Sequence, residues 1–505
     1  MKRNDYLPLN LIEKMNSRIS MVLAGIALVV ICVLFNRLDY NMVKKPALQA
    51  QSDTVESLPG ESRTVDGERD GNTIVSDAED GVYSVSVVAA GDNLIQESLL
   101  SSGQSSAGLW NYDHIYSQIK PTIQGADIAI VNQETPFTTD HDAVSGTEPY
   151  ATPVEVGDAL ANAGFDVVGA ATEFMASGGQ ELIGKTVDFW RSSHPDVKLL
   201  GIDSDSDSTE FSVIETNGIR IAFLNFVMPI NGRTANLNTA ASGSSDTVYS
   251  LSLFQTEAVS RKISQAKAAS DCLIVCAHWG ADDEAMPTEY QKEWAAYLMQ
   301  QGVNVIIGSY PHTLQPYVTL SDGSGHKTLV YYSLGNLATG QETLKSVLGG
   351  LAKFTIQKTV RDGVVSIDIL NPDLELVVMH YNYDNADHTI YPLASYTEDL
   401  AQAHSIASYY GEDFSRSTLE EKADEILVME VTPSTKTTML NNTFNINGDM
   451  YDSAMNMVTD TDSITAVEYY SGQGAGSSDD SDEEYYDDEY YDEDYDYDEY
   501  YDEEY

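Results

Sequence analysis

The stretch Asp271-Cys272-Leu273-Ile274-Val275-Cys276-Ala277-His278-Trp279-Gly280 passes in ten residues from an unbroken apolar run to an imidazole, an indole and a glycine. A short aliphatic run without polar alternation reads as a strand covered on both faces, the pattern of a parallel sheet flanked by helices. Cys272 and Cys276 then share one face, too far apart along an extended chain to bridge each other, and read as small core residues. Neither a disulfide framework nor a thiolate metal site follows from three cysteines placed this way. His278 ends the run. Loops at the carboxyl ends of strands in an α/β sheet converge on one crevice, and that crevice is where such folds bind ligands.

Four other stretches have the same form. Ala90-Gly91-Asp92-Asn93-Leu94, Val131-Asn132-Gln133-Glu134-Thr135, Gly308-Ser309-Tyr310-Pro311-His312 and Tyr332-Ser333-Leu334-Gly335-Asn336 each follow β-branched and aliphatic residues. Two carboxylates (Asp92, Glu134) and two imidazoles (His278, His312) delivered to one crevice are the raw material of a hydrolytic metal centre. Further buried strands are expected at 126–131, 165–171, 220–226, 303–307 and 329–332, alternating with helical stretches at 256–269 and 290–301. Asn217-Gly218 marks a hairpin turn between 210–215 and 219–226. The stretch 395–429 reads as largely helical, whereas 431–472 is polar and follows no period. Alternation of this kind defines an α/β fold, and 505 residues are ample for one large core.

The formal net charge of −52 excludes nucleic-acid backbones as partners, because phosphate contact needs clustered Lys and Arg. Much of the acidity is local: Asp479 to Tyr505 holds 17 Asp and Glu, nine Tyr and no Lys or Arg. Such a tail cannot bury enough apolar surface to offset its ordering entropy and is expected to be disordered. At the other end, ISMVLAGIALVVICVLF (Ile19 to Phe35) carries no charge and covers about 25 Å as a helix, the short end of a bilayer span. No small-residue cleavage site follows it closely, so an uncleaved signal anchor is expected, amino terminus inside and bulk outside. The chain thus divides into a cytoplasmic segment (1–18), a transmembrane anchor (19–36), a disordered linker (37–81), a globular domain (82–430), the polar segment 431–472 and the tail 473–505.

Seven motifs in sequence order, AAGDNLI (from Ala89), ADIAIVNQETPF (from Ala126), GFDVVGAAT (from Gly164), AHWG (from Ala277), PTEYQ (from Pro287), PHTLQP (from Pro311) and YSLGN (from Tyr332), resemble the CapA-type capsule-synthesis family, the poly-γ-glutamate biosynthesis proteins. That family is related to the calcineurin-like metallophosphoesterases. The resemblance implies a four-layer α/β sandwich with metal ligands on loops at strand ends. Asp92, Glu134, His278 and His312 would be the ligands, and Mn, Fe or Zn the divalent metal that suits them. The family's usual Asn-His is here Glu173-Phe174, and one His of its later loop is Tyr310; Asp282 and Asp283 follow Ala281. Glu173 can still ligate, whereas Phe174 can neither ligate nor carry a proton. The centre has therefore either drifted to one metal with altered chemistry or become catalytically dead and survives as a binding fold. Asn132, Tyr310 and Asn336 are expected beside the crevice as substrate-facing or turn-shaping residues.

The function implied is that of a single-pass, outward-facing envelope protein acting in synthesis, export or anchoring of an anionic polymer such as poly-γ-glutamate. The runner-up is a non-enzymatic scaffold that binds polymer or other envelope proteins in the same crevice. The orientation has a direct check. Protease added to intact cells should remove the tail 473–505, and a tail cut only after lysis would reverse the assignment.

Overall fold

The computed structural model describes residues 80–434 except 205–210, 230–247, 322, 324, 385–386 and 411–412, together with the backbone of the strands Ile74–Val75, Asn442–Phe444, Met450–Asp452 and Thr465–Tyr469. The expected anchor, most of the expected linker and the acidic tail lie outside these residues. Among the described residues no helix is long and apolar enough to cross a membrane.

Seven strands position the site: β1 (Gly81–Asn93), β2 (Ile128–Gln133), β3 (Val167–Gly169), β4 (Ile219–Val227), β5 (Cys272–His278), β6 (Val305–Ser309) and β7 (Lys327–Tyr331). The first three pair in parallel within a nine-stranded sheet, which continues beyond β1 through the antiparallel strands Leu348–Arg361 and Val364–Asn382. The other four pair in parallel in a seven-stranded sheet. Thr465–Tyr469 closes one edge of that second sheet against Tyr317–Ser321. This strand falls in the segment that sequence patterning left unplaced, and Ile74–Val75, inside the expected linker, pairs with Val364 and Val365.

The alternation along β5 shows how the layers form. Cys272, Ile274 and Cys276 join one core with β1 residues Val85, Val87 and Ala89, so this face packs against the other sheet. Leu273, Val275 and Ala277 join a second core with Val259 and Ile263 of helix α2 (Thr256–Ala269) and Trp294 and Leu298 of helix α3 (Glu289–Gln300). On the far side, Val156 and Leu160 of helix α1 (Val154–Ala163) pack with the first sheet. The result is an α/β sandwich in which helices cover the outer faces of two stacked sheets, and both faces of β5 are dry. Its seven residues are all buried, which is why its sequence shows no polar alternation.

Helix ends follow local chemistry. Gly164, at φ 112°, closes α1 by donating its N–H to Leu160 and Ala161, a left-handed cap that only glycine adopts cheaply, and turns the chain into β3. Thr288 and Gln291 form a reciprocal capping box at the start of α3, which accounts for two residues of PTEYQ as architecture.

The two sheets converge at the carboxyl ends of β1 and β5. There β1 loses register with β2 between Ala89 and Asp92, an irregularity of the sort that re-aims side chains beside functional sites. The bend depends on Gly91, where an added Cβ would lie 1.9 Å from the Gly335 carbonyl oxygen, the same oxygen that accepts the Asp92 N–H at 3.0 Å. Gly91→Ala should destabilise the protein by about 3 kcal/mol through overpacking against backbone. Denaturant titration checks this, and a loss below half that figure would show that the two loops separate freely.

Candidate metal centre

Asp92 is the penultimate residue of β1 and is fully buried. Its Oδ1 accepts from Asn132 Nδ2 at 2.8 Å and its Oδ2 from the backbone N–H of Tyr310 at 3.0 Å, so both oxygens are held in place. Glu134 follows β2. Its N–H donates to the Asn93 carbonyl, and its own carbonyl accepts from Thr172 Oγ1 at 2.6 Å. The backbone is thus pinned on two sides while both carboxylate oxygens, buried, have no hydrogen-bond partner. Thr172 also caps the helix Glu173–Ser177 through the Met175 N–H, which sets Glu173 on the first turn facing Glu134.

His278 ends β5 on the Cys272–Cys276 face, pointing between the sheets. Its Nε2 lies 2.6 Å from Glu173 Oε2 and 3.8 Å from Glu134 Oε1, while Nδ1 meets Ser309 Oγ at 2.9 Å. His312 pairs its Nδ1 with Asn336 Oδ1 at 3.0 Å, which makes Nδ1 the protonated nitrogen and leaves Nε2 with a lone pair, 3.6 Å from Glu134 Oε1. Two triads result: Asp92, Glu134 and His312, and Glu134, Glu173 and His278, each with ligand atoms within 4.8 Å of one another. Glu134 belongs to both.

The loop that carries His312 is bent into unusual backbone. Tyr310 has φ 99° and His312 φ 55°, values that cost a bulky residue about 1–3 kcal/mol and that cluster at functional sites. Tyr310, expected as a substrate contact, acts on Asp92 through its N–H, and its hydroxyl hydrogen-bonds Asp282. Asn336 differs from the expectation of a substrate-facing residue. It is 1% exposed, and its amide is taken up by His312, Gln341 and the Ser346 carbonyl, so it orients His312 instead. Asn132 keeps one buried oxygen, Oδ1, without a partner.

Asn225 and Tyr150 belong to no motif, and Ser309 and Asp282, quoted with their motifs, carry no role from the sequence. Asn225 on β4 accepts the N–H groups of Ala170 and Ala171 and donates to the Cys276 carbonyl, joining the two sheets directly behind Glu173. Ser309 holds His278. Asp282, on the turn after Trp279-Gly280, is raised by burial and by the charge of Glu173, against the opposing pull of His312. Burial, and after it the charges of Glu134, Glu148 and Glu173, push the Tyr150 phenol up. Their roles follow from contacts across the fold.

The electrostatics follow from crowding. Burial, then the charges of Asp92, Glu173 and Asp282, hold the Glu134 carboxyl well above the ordinary glutamate range. Burial also pushes Glu173 upward, but the neighbouring His278 outweighs it, and the net shift is down. For His278 burial pulls down, and Glu173 with Asp92 brings the net shift up. With Glu134 ionised, the three carboxylates of the two triads leave a surplus of negative charge even if both rings are protonated. A cation seated against Glu134 would give its orphaned oxygens partners and relieve that crowding, so the residues present fit a divalent metal with oxygen and imidazole ligands.

An α/β sandwich with a buried carboxylate–imidazole cluster at the sheet ends is the class of protein that these features define. The sequence profile of the family described as bacterial capsule synthesis protein PGA_cap matches residues 86–341, which include every residue of both triads, and the chain belongs to that family. It is 25% identical over 262 residues to the PGA biosynthesis protein CapA of Bacillus subtilis (strain 168), covering 51% of this chain and 65% of that relative. To the capsule biosynthesis protein CapA of Bacillus anthracis it is 22% identical over 266 residues, 51% of this chain and 61% of the relative. The chain therefore spans somewhat less than two thirds of these relatives. A crystal structure of TT1561 of Thermus thermophilus aligns over 56% of this chain and 98% of its own at 10% identity, but with a TM-score of 0.29 it carries no argument about fold.

Glu134 gives a pH prediction. Its folded value lies above the 4.5 of an ordinary glutamate, so between these two values the folded state holds a proton that the unfolded chain has released. Its contribution to stability therefore falls as pH rises from about 4.5 through the raised value. In chelated full-length protein, Glu134→Gln should flatten that fall and raise stability at pH 8 by roughly 1–2 kcal/mol. Thermal melts across pH 5 to 8 test this. A variant less stable than the parent at pH 8 would mean that the carboxylate is not the crowded group.

Proposed function

We propose that the chain is a membrane-anchored, outward-facing capsule-synthesis protein of the metallophosphoesterase type, acting on an anionic polymer such as poly-γ-glutamate by metal-assisted hydrolysis or transfer. The observation that carries this reading is Glu134, a buried carboxylate with both oxygens unpartnered and common to two ligand triads. Asp92, Glu134 and His312 would hold one divalent cation and Glu134, Glu173 and His278 a second. Bound there, such cations supply Lewis-acid polarisation of an ester, amide or anhydride oxygen and charge to attract an anionic substrate.

The protein's own residues prepare this chemistry. Asn132 and the Tyr310 N–H fix Asp92, and Asn336 holds His312 in the tautomer that presents Nε2. Ser309 Oγ, 2.9 Å from Nδ1, holds the His278 ring in place from its other side. The His278–Glu173 contact at 2.6 Å must open for both to ligate together, so the second position should fill at higher pH than the first. Without cations the crevice would repel an anionic polymer, and substrate binding is expected to depend on loading.

A second reading, a polymer- or protein-binding scaffold, draws support from Phe174 and Tyr310 standing where the family carries imidazoles. One experiment separates the two. Metal analysis of the full chain purified with Mn, Fe or Zn should find bound divalent cation, reduced at least tenfold by Asp92→Ala or His278→Ala in protein that still melts cooperatively. A generic phosphate ester should be hydrolysed by the loaded protein and by neither variant. Metal uptake without turnover would favour the scaffold, and no uptake would remove the metal reading.

A further inference from the structure

His312 is steadied from a distance. Its Nδ1 partner, Asn336, sends its amide nitrogen to Gln341 Oε1 at 3.1 Å and to the Ser346 carbonyl at 2.9 Å. Both oxygens belong to the turn 341–347, and that turn is fastened at each end to the strand Val364–Asn382. The Tyr381 hydroxyl donates to the Gln341 carbonyl at 3.1 Å, and the Met379 N–H donates to the Val347 carbonyl at 2.9 Å. The strand lies outside residues 86–341, which the family profile matches. Metal-ligating histidines depend on such outer partners for their tautomer and aim, so whatever holds Met379 and Tyr381 also steadies His312.

His404 is the residue that holds them. A carbonyl only accepts, so its Nε2 carries the ring proton and donates it to the Met379 carbonyl at 3.1 Å. Its ring stands 4.3 Å from that of Tyr381, and the Ser405 N–H donates to the Tyr381 carbonyl at 3.0 Å. The Ile406 N–H reaches Nδ1 at 3.2 Å. Both nitrogens are thus committed, one as donor and one as acceptor, which is the neutral imidazole. A second proton would sit on Nδ1, directly against the Ile406 N–H. The surroundings oppose it as well. His404 is 2% exposed, with the His380 ring at 5.1 Å and Phe414 at 4.8 Å, and His388 faces Tyr381 across the strand pair. His380 pairs its Nδ1 with the Tyr396 hydroxyl at 2.8 Å and packs on Tyr391, and Asp387 Oδ2 lies 4.0 Å from its Nε2. Tyr383, Asp384 and Glu398 line the same surface crevice as His404, and Tyr383 gives its hydroxyl to Glu342. Burial pulls His404 down to about 3; the bond to the Met379 carbonyl opposes this, and the charges of His380 and His388 add to it.

We propose that His404 is a proton-operated latch on the candidate metal centre. On taking up a proton it breaks with Ile406, the segment 404–406 withdraws from Met379 and Tyr381, and the turn 341–347 holds Asn336 and His312 less firmly. The sign follows from burial. His404 is neutral in the closed fold and has the ordinary value near 6.5 once opened, so the latch is shut above that pH and slackens below it. This inference rests on the metal reading above and adds regulation to it. By reciprocity, a divalent cation seated at His312 draws the latch closed.

Hydrogen exchange on the chelated full chain, corrected for the intrinsic effect of pH, reads the opening directly. Between pH 7.5 and 5.5, peptides covering 341–347 and 377–382 should lose about tenfold more protection in the parent than in His404→Asn, the factor that one ordinary imidazole supplies over that interval. Asparagine keeps an acceptor for the N–H two residues on and has no proton to gain. Saturating Mn2+ at pH 5.5 should restore both peptides in the parent. In Tyr381→Phe, which keeps the ring and removes its bond to Gln341, Mn2+ should restore 341–347 alone. Equal loss in parent and His404→Asn overturns the latch. Mn2+ that protects 341–347 of the parent but leaves 377–382 unchanged overturns the link to the metal centre, while the metal reading stands. Should His404→Asn fail to fold, Tyr381→Phe decides, and recovery of both its peptides overturns the relay. Mn2+ that alters exchange nowhere around Asp92, Glu134 and His312 defeats the metal reading, and this inference with it.

Discussion

A carboxylate buried without a single hydrogen bond is costly, and the fold around Glu134 is arranged so that it has nowhere else to go. Its backbone is tied to Asn93 on one side and Thr172 on the other. Its neighbours include three further carboxylates, Asp92, Glu173 and Asp282, which raise the cost, and two imidazoles, with His278 Nε2 at 3.8 Å and His312 Nε2 at 3.6 Å from its Oε1. Left to local preference, Glu134 would turn toward water. It is held inward because the strands that frame it belong to two sheets whose apolar faces have already closed on each other.

That closure is fixed by contacts of small reach. Asn225 joins β3 to β4 and β5 with three hydrogen bonds from one amide. Gly91 lets the Gly335 carbonyl approach the end of β1, and Gly308 lets the Tyr332 carbonyl approach the end of β6, where a Cβ would stand 1.9 Å away. These approaches bring the loop of His312 against Asp92. The strained conformations of Tyr310 and His312 are the local consequence of that crowding, held by packing on every side.

The sequence disclosed the parts whose physics is periodic. The unbroken run of β5 announced a doubly buried strand, and its parity set Cys272 and Cys276 on one face, the face on which the structure also places His278. The helices α2 and α3 lie within a residue of their expected bounds, since each presents an apolar stripe. The sheet order and the role of Asn336 were not legible, because both depend on register between strands far apart in the chain. Asn336 reads as a turn residue next to a crevice until the structure shows its Oδ1 against His312. Asn225, an amide inside an apolar strand, carried a signal of its own: a buried polar group there demands partners. Thr465–Tyr469 could not be placed because five residues of modest strand preference become a strand only through the edge they meet.

That last strand has a wider bearing. Tyr317–Ser321 is flanked on one side by β7, close by in sequence, and on the other by a segment synthesised well over a hundred residues later. Until that segment leaves the ribosome, the second sheet presents a bare ladder of amide and carbonyl groups, the arrangement most apt to recruit a foreign strand. The nascent protein thus passes through an interval in which the framework of its candidate metal centre is nearly finished but its flank is open. Guarding that flank would be work for a chaperone during translation.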